Sequence, residues 1–295
     1  VALAGYPPAT HLLGDLGIDV EVTSPTEATV RLAASPFITD AEGGVRAGIL
    51  ATLVDLVGGA VAVRVLRPDW MATADLSLQV VRPAVGPVVE ARGSVLRKGR
   101  TTLVIEAEVT NVAEDGGPVP DADGQVGPVA SATMTFAILP ARDTTAVVEF
   151  TEEYPARWGF TGAGLDRPVV DALGMAITDA PAGRLTMPVH EYLHNSFGAV
   201  QGGVIALLAD VAATASLNSA TVADAGPVVV NGLQVAYLAL GRVGPMESSA
   251  EVLRPAGPGA PGHAVVRLTD AGADHRLTTL VNVDARTARS RGATG

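Results

Sequence analysis

Two stretches of this chain, residues 40–62 (DAEGGVRAGILATLVDLVGGAVA) and 195–217 (NSFGAVQGGVIALLADVAATASL), write one pattern twice in a register of 155 residues. Each sets a single carboxylate, Asp55 or Asp210, inside an apolar helical run. Apart from Thr52, positions 49–54 and 204–209 are apolar or small on every side. A helix apolar all round is buried all round, so each run has to be wrapped by the rest of its own half. An Asp inside such a helix is costly unless it is paired, hydrogen-bonded or beside a wet cleft. The plain alternative is a carboxylate bonded to neighbouring backbone amides, and a duplicated structural Asp recurs just as well. The Gly202-Gly203 pair at the start of the second run shifts the balance toward chemistry. Bare N–H groups at a helix N-terminus bind anions and developing oxyanions.

At 295 residues the length suggests two domains, and the repeat sets them at 1–145 and 146–295. The linker is expected within about 140–165 and a disordered tail from about Thr287. The chain is 48% apolar but only 4% aromatic, so each core is made mostly of Ala, Val and Leu. A net charge of −11 argues against a generic nucleic-acid binder, which carries a basic face. With no Cys there is neither a disulfide framework nor thiolate chemistry. No run of about 18 residues without polar or charged interruption suggests a membrane span. No charged segment precedes an apolar one at the start, and a cytoplasmic location is the expectation.

Along the chain, Leu12–Gly17 and Val169–Gly174 read as matching short helices, and residues 27–33 and 183–189 as matching half-buried strands. After each central helix come strands at 73–82, 88–97, 101–112 and 129–139, matched by 228–237, 247–254, 263–270 and 277–286. Leu78-Gln79-Val80 and Leu233-Gln234-Val235 keep the 155-residue register. Residues 113–127 are expected to be a mobile loop, and Trp158 and Phe160 to cap an apolar face. One long helix wrapped by a curved antiparallel sheet is an α+β architecture. Two such halves can pair edge to edge and cover edges that are otherwise open.

The pattern Asn-x5-(His/Gln)-Gly-Gly-x6-Asp, with a Ser/Thr strand position eighteen residues on and then an Arg-Pro, resembles the hotdog-fold acyl-CoA thioesterases, in their phenylacetyl-CoA thioesterase-like branch. The resemblance covers nearly the whole chain and implies two fused hotdog domains with active sites between them. In that family one unit supplies the Asn and the Gly amide, and its partner supplies the carboxylate and the Ser/Thr. Carried over, the second half has Asn195, Gln201 for the usual His, Gly202, Gly203 and Asp210, but Val228 at the hydroxyl position. The first half has Asp55 and Thr73, but Asp40 for Asn, Arg46 for His and Ala47 for the first Gly. Pairing Asn195, Gln201 and Gly202 with Asp55 and Thr73 gives one nearly full set. The opposite pairing, Asp40, Arg46 and Ala47 with Asp210 and Val228, is defective.

In the implied chemistry the thioester oxygen sits on the Gly202 N–H and Asn195 holds the thioester or the water. Asp55 acts as general base or as nucleophile, and Thr73 orients it. The resemblance implies an acyl-CoA substrate, with coenzyme A as part of the substrate and no separate cofactor. Gln201, Gly203 and the strand-end Arg82 are expected at the substrate. Arg97, Lys98 and Arg100, clustered at one turn, are expected at the coenzyme A phosphates, against the alternative of a solvated turn. Asp40 and Arg46, six residues apart, are placed to pair, and Arg46 also to hold Asp210. The histidines form no metal-ligand spacing. Expected partners are acyl-CoA and further copies of the chain, a homo-oligomer of double-hotdog units, with no nucleic acid and no membrane. A non-catalytic acyl-CoA binder and a hydratase or dehydratase on the same fold are the competing readings. The absence of His at either helix start counts against the latter.

Overall fold

The structure, a computed structural model, describes residues 8–121, 124–141 and 153–288, so residues 142–152 of the expected linker and 289–295 of the expected tail lie outside it. The first half runs α1 (Leu12–Asp15), β1 (Asp19–Ser24), β2 (Glu27–Ala33), α2 (Ala47–Val65), β3 (Trp70–Val80), β4 (Val88–Lys98), β5 (Thr102–Val112) and β6 (Pro128–Leu139). After β7 (Ala156–Gly159), the second half repeats the order. It runs α3 (Val169–Ala172), β8 (Ala176–Asp179), β9 (Arg184–Met187), α4 (Gly202–Ala220), β10 (Val228–Tyr237), β11 (Met246–Arg254), β12 (Gly262–Asp270) and β13 (Arg276–Thr287).

All thirteen strands form one sheet in the order β7-β1-β2-β4-β5-β6-β3-β10-β13-β12-β11-β9-β8. The halves join where β3 pairs antiparallel with β10. Leu78 lies opposite its own counterpart Leu233, and Ser77 and Gln79 lie opposite Gln234 and Gly232. A pseudo-twofold axis therefore passes through the Leu78–Leu233 pair. Pairing the two sheets along this seam removes one open edge from each half.

The two long helices lie antiparallel beneath this seam, with α2 against α4. Their closest approach obeys the same symmetry. A Cβ added to Gly48 would stand 2.4 Å from Leu207 Cα, and one added to Gly203 would stand 2.4 Å from Thr52 Cα. Two glycines thus let the backbones touch. Gly203→Ala is expected to force the helices apart and lower stability by about 1–3 kcal/mol, the usual effect of overpacking a core. Denaturant unfolding checks this, and a variant as stable as the wild type would show that the helices separate freely. By length and hydropathy both helices pass as membrane spans, yet 61% and 72% of the relevant windows are buried inside the protein.

The structure adds three strands that the hydrophobic pattern does not announce. Every residue of β8 is exposed, so no alternation marks it. β1 continues through a Ser24–Glu27 turn into β2. β7 comes from the expected linker and pairs with β1 at the edge of the first half. Beside it Trp158 and Phe160 pack on the core as expected, and the Arg64 guanidinium stands 5.1 Å from the Trp158 ring. Within the 113–127 loop the described residues form turns. Val112 bridges to Pro118, and the Gln125 N–H donates to Asp121 Oδ1 at 2.8 Å.

Candidate active site

Antiparallel packing of the helices puts the middle of each against the N-terminus of the other, so each Asp meets the partner's first turn. Asp55 receives the Gly203 N–H from α4. Asp210 Oδ2 receives the Gly48 N–H from α2 at 3.0 Å. The two carboxylates are therefore held by equivalent amides across the pseudo-twofold axis, and their surroundings differ in everything else.

At the Asp55 site, Thr73 Oγ1 on β3 donates to Asp55 Oδ1 at 3.0 Å. A Cβ on Gly202 would stand 2.8 Å from Asp55 Oδ2 and 3.2 Å from Tyr237 Oη, so only glycine lets the carboxylate lie against that backbone. The Tyr237 hydroxyl donates to the Gly202 carbonyl at 2.9 Å. Among the described residues no protein group accepts from the Gly202 N–H. Burial pushes the Asp55 carboxyl above its ordinary range, opposed by the bonds from Thr73 and Gly203. The residue still keeps partial exposure. A base that is desolvated yet open to solvent suits proton abstraction near neutral pH.

Asn195 turns the chain into α4. Its Oδ1 accepts from the Phe197 and Ala199 N–H groups at 2.9 and 3.2 Å, which leaves the amide NH2 for other partners. Phe197 then meets Trp70, the first residue of β3, edge-on with ring centroids 4.8 Å apart. The Asn195 loop is thus fixed to the strand that carries Thr73. Gln201 is buried, its amide 3.3 Å from His11 Nε2 and 3.4 Å from the His194 carbonyl. The Leu13 N–H donates to His11 Nδ1, so Nε2 carries the proton and donates to the His194 carbonyl at 2.9 Å.

At the Asp210 site the missing Gly and hydroxyl are replaced by other groups. Arg46 donates to Asp210 Oδ1 at 2.9 Å, rather than pairing with Asp40. Asp40 instead accepts from the Glu42 N–H at 2.8 Å, the counterpart of the Asn195–Phe197 bond. Burial raises the Asp40 carboxyl above its ordinary range, against the Glu42 amide. Val228 offers no hydroxyl, and Thr214, one turn along α4, donates to Asp210 Oδ1 at 3.2 Å. Asp210 is 2% exposed. A cleft of about 90 Å³ borders this site, lined by Asp40, Arg46, Asp210, Thr214 and Val228 among others. The cleft therefore lies beside the sealed carboxylate, not beside the one that keeps exposure.

Three residues expected at substrate are engaged elsewhere. Gly203 spends its N–H on Asp55. Arg82 pairs with Asp121 at 2.9 Å and donates to the Pro128 carbonyl, so it pins the 113–127 loop. Lys98 donates to the Val65 carbonyl at the C-terminus of α2, while Arg97 and Arg100 are exposed. Tyr237, Thr214, His11 and the Trp70–Phe197 pair are the residues that sequence spacing misses. Among the described residues no group of three or more His, Asp or Glu is placed to hold a metal ion.

The family described as the thioesterase superfamily matches residues 43–117. A Halobacterium salinarum protein, named an esterase by inference, is 39% identical over 110 residues, which span 35% of this chain and 72% of that protein. A provisionally named oleoyl thioesterase from Lactobacillus plantarum aligns over 90% of this chain and 98% of its own, at 14% identity and a TM-score of 0.57. An acyl-ACP thioesterase from Bacteroides thetaiotaomicron aligns over 88% and 97%, at 15% identity and a TM-score of 0.52. A Thermobifida fusca protein, provisionally named thioesterase II, aligns over 96% and 99%, at 17% identity and a TM-score of 0.56. At these identities the solved structures speak for the fold, a double hotdog, and the Halobacterium relative carries the kinship. The 39% identity to the Halobacterium protein, together with the family match at residues 43–117, makes this double-hotdog chain a member of the thioesterase superfamily.

Proposed function

We propose that this protein hydrolyses the thioester of an acyl- or aryl-CoA at the Asp55 site, built from both halves. The observation that carries the reading is the contact of Asp55, held by Thr73 of its own half, with the Gly202-Gly203 backbone of the other half. The thioester oxygen binds the open Gly202 N–H at the positive end of α4, where charge develops during attack. Asp55 takes the proton from a water, Thr73 holds Asp55 in place, and the Asn195 amide steadies the thioester or the water. The resulting hydroxide adds to the carbonyl carbon, the C–S bond breaks, and the proton on Asp55 passes to the leaving thiolate, releasing the coenzyme A thiol and the free acid.

Arg97 and Arg100 are the cations proposed for the coenzyme A phosphates. Lys98 ties their turn to the end of α2, ten residues beyond Asp55. At the helical rise that is roughly 15 Å, a span that suits the extended arm between a thioester and its nucleotide. Reversing both charges (Arg97→Glu with Arg100→Glu) is expected to raise KM far more than it lowers kcat, and added salt to do the same. Salt-independent KM values would remove the cluster from the site.

The cleft beside Asp210 favours a second reading, a binding protein that holds acyl-CoA without hydrolysing it. Free-thiol release from a panel of acyl-CoAs separates the two. Binding without thiol release from any of them would overturn the hydrolase reading.

A further inference from the structure

Tyr237 is half-buried beside Asp55, and the reaction as proposed gives it no role. Its hydroxyl donates to the carbonyl of Gly202 at 2.9 Å. That carbonyl belongs to the same peptide unit as the Gly203 N–H, and the Gly203 N–H is what Asp55 accepts. Tyr237 O–H, the Gly202–Gly203 peptide and the Asp55 carboxylate therefore form one line of hydrogen bonds. Donors in such a line polarise one another, and each bond strengthens the next. Burial, followed by the Asp55 charge, holds the Tyr237 hydroxyl well above its ordinary range, so it stays a donor at every working pH.

The same peptide exists at the other site, where Ala47 supplies the carbonyl and the Gly48 N–H meets Asp210 at 3.0 Å. There the line has no tyrosine, and the strand ladders show why. Val80 and Val235 are counterparts in the repeat. Beyond Val80, Val81 and Arg82 donate at once to the Val129 carbonyl. Beyond Val235 the ladder first adds Ala236 opposite Leu280 and Tyr237 opposite Thr279. Only then do Leu238 and Ala239 donate to the Thr278 carbonyl. The second half is two residues longer at this point, and the extension delivers the hydroxyl to the Asp55 site alone.

We infer that Tyr237 is a positioning residue for the proposed hydrolysis, orienting and polarising the Gly202–Gly203 peptide so that its N–H holds the Asp55 carboxylate ionised and aimed at the water. The inference rests on the reading of Asp55 as base. Few other groups face Asp55: Thr73 comes from β3, the Gly202–Gly203 peptide from α4 and Tyr237 from β10. Asp75 of β3 is exposed, and no charged side chain contributes to the displacement of the Asp55 pKa.

The test is Tyr237→Phe, which keeps the ring and removes the donor. Losing the donor weakens the Gly203 bond to the ionised carboxylate, so the Asp55 pKa rises. The acid limb of the kcat profile is expected to move up by a few tenths of a pH unit. Turnover should fall about two- to tenfold, the worth of one neutral hydrogen bond, with KM unchanged. In an Asp55→Asn background the same substitution should have no further effect on the residual rate. A carbon-13 NMR titration of the Asp55 carboxyl reads the same shift without any substrate. It tests the relay even if wild-type protein hydrolyses no thioester, a result that would fell the proposed activity instead. Should Tyr237→Phe fail to fold, difluorotyrosine placed at position 237 keeps the hydroxyl, makes it a stronger donor and should lower the Asp55 pKa. An unmoved carboxyl titration, or an equal loss of rate with and without Asp55, overturns the inference.

Discussion

Asp55→Asn is expected to lower turnover by about 10²-fold or more while leaving the protein as stable as before or more so. The rate follows from removing the general base, whose contribution is commonly about 10²- to 10⁴-fold. The stability follows from the sign of the pKa displacement. Burial raises the Asp55 carboxyl in the folded state, so the ionised form is less favoured there than in the unfolded chain. At neutral pH that charge opposes folding, and Asn removes it. Asn195→Ala is expected to lower turnover on a similar scale although it lies in the other half. Its Oδ1 shapes the loop before α4, and its amide NH2 is the group proposed to steady the thioester or the water. Asp210→Asn should leave turnover within a few-fold of wild type. Turnover and melting temperature of the three variants check this together. Loss of activity in Asp210→Asn with a near-normal Asp55→Asn would reverse the assignment of the two sites.

Arg46→Met is expected to lower stability by about 3–5 kcal/mol, the usual result of stranding one member of a buried ion pair. The Arg46 and Asp210 side chains are only 15% and 3% exposed, so an unpaired Asp210 meets little water beyond the narrow cleft. The Gly48 amide and the Thr214 hydroxyl remain to it, without a countercharge. Combining Arg46→Met with Asp210→Asn removes the stranded charge and should recover most of the loss. Denaturant unfolding of the two singles and the double forms the required cycle. A loss below about 1 kcal/mol in Arg46→Met, or a double no better than the worse single, would show that the pair holds nothing together. On the proposed reading, one of the duplicated sites clamps the halves and the other keeps a free base.

The residues themselves carry much of this architecture. A helix apolar on all sides, written twice, requires a sheet around each copy, and the 155-residue register requires that the two halves match. The spacing from Asp55 to Thr73 and from Asn195 to Gly202 carries the candidate groups as well, because those intervals lie on or beside regular elements. Sorting the two half-sets into a fuller and a poorer one, as proposed, uses only the substitutions at each helix start and the Thr73–Val228 difference.

Other assignments depend on groups far apart in the chain. Arg82 is identical in type whether it meets a phosphate or Asp121, and only the tertiary placement of Asp121 beside it decides. Arg46 had two carboxylates within reach of reason, and helix packing gave it Asp210. The exposed strand β8 has no hydrophobic alternation, since its backbone bonds to β9 place it and not its side chains. Tyr237 reads as one more aromatic at a strand end until the β10–β13 ladder brings its hydroxyl to the Gly202 carbonyl. Local periodicity settles what must be buried, because burial follows from composition along one element. The partner of each buried polar group is settled by tertiary contact, because hydrogen bonds act over about 3 Å and the sequence does not record which distant groups come that close.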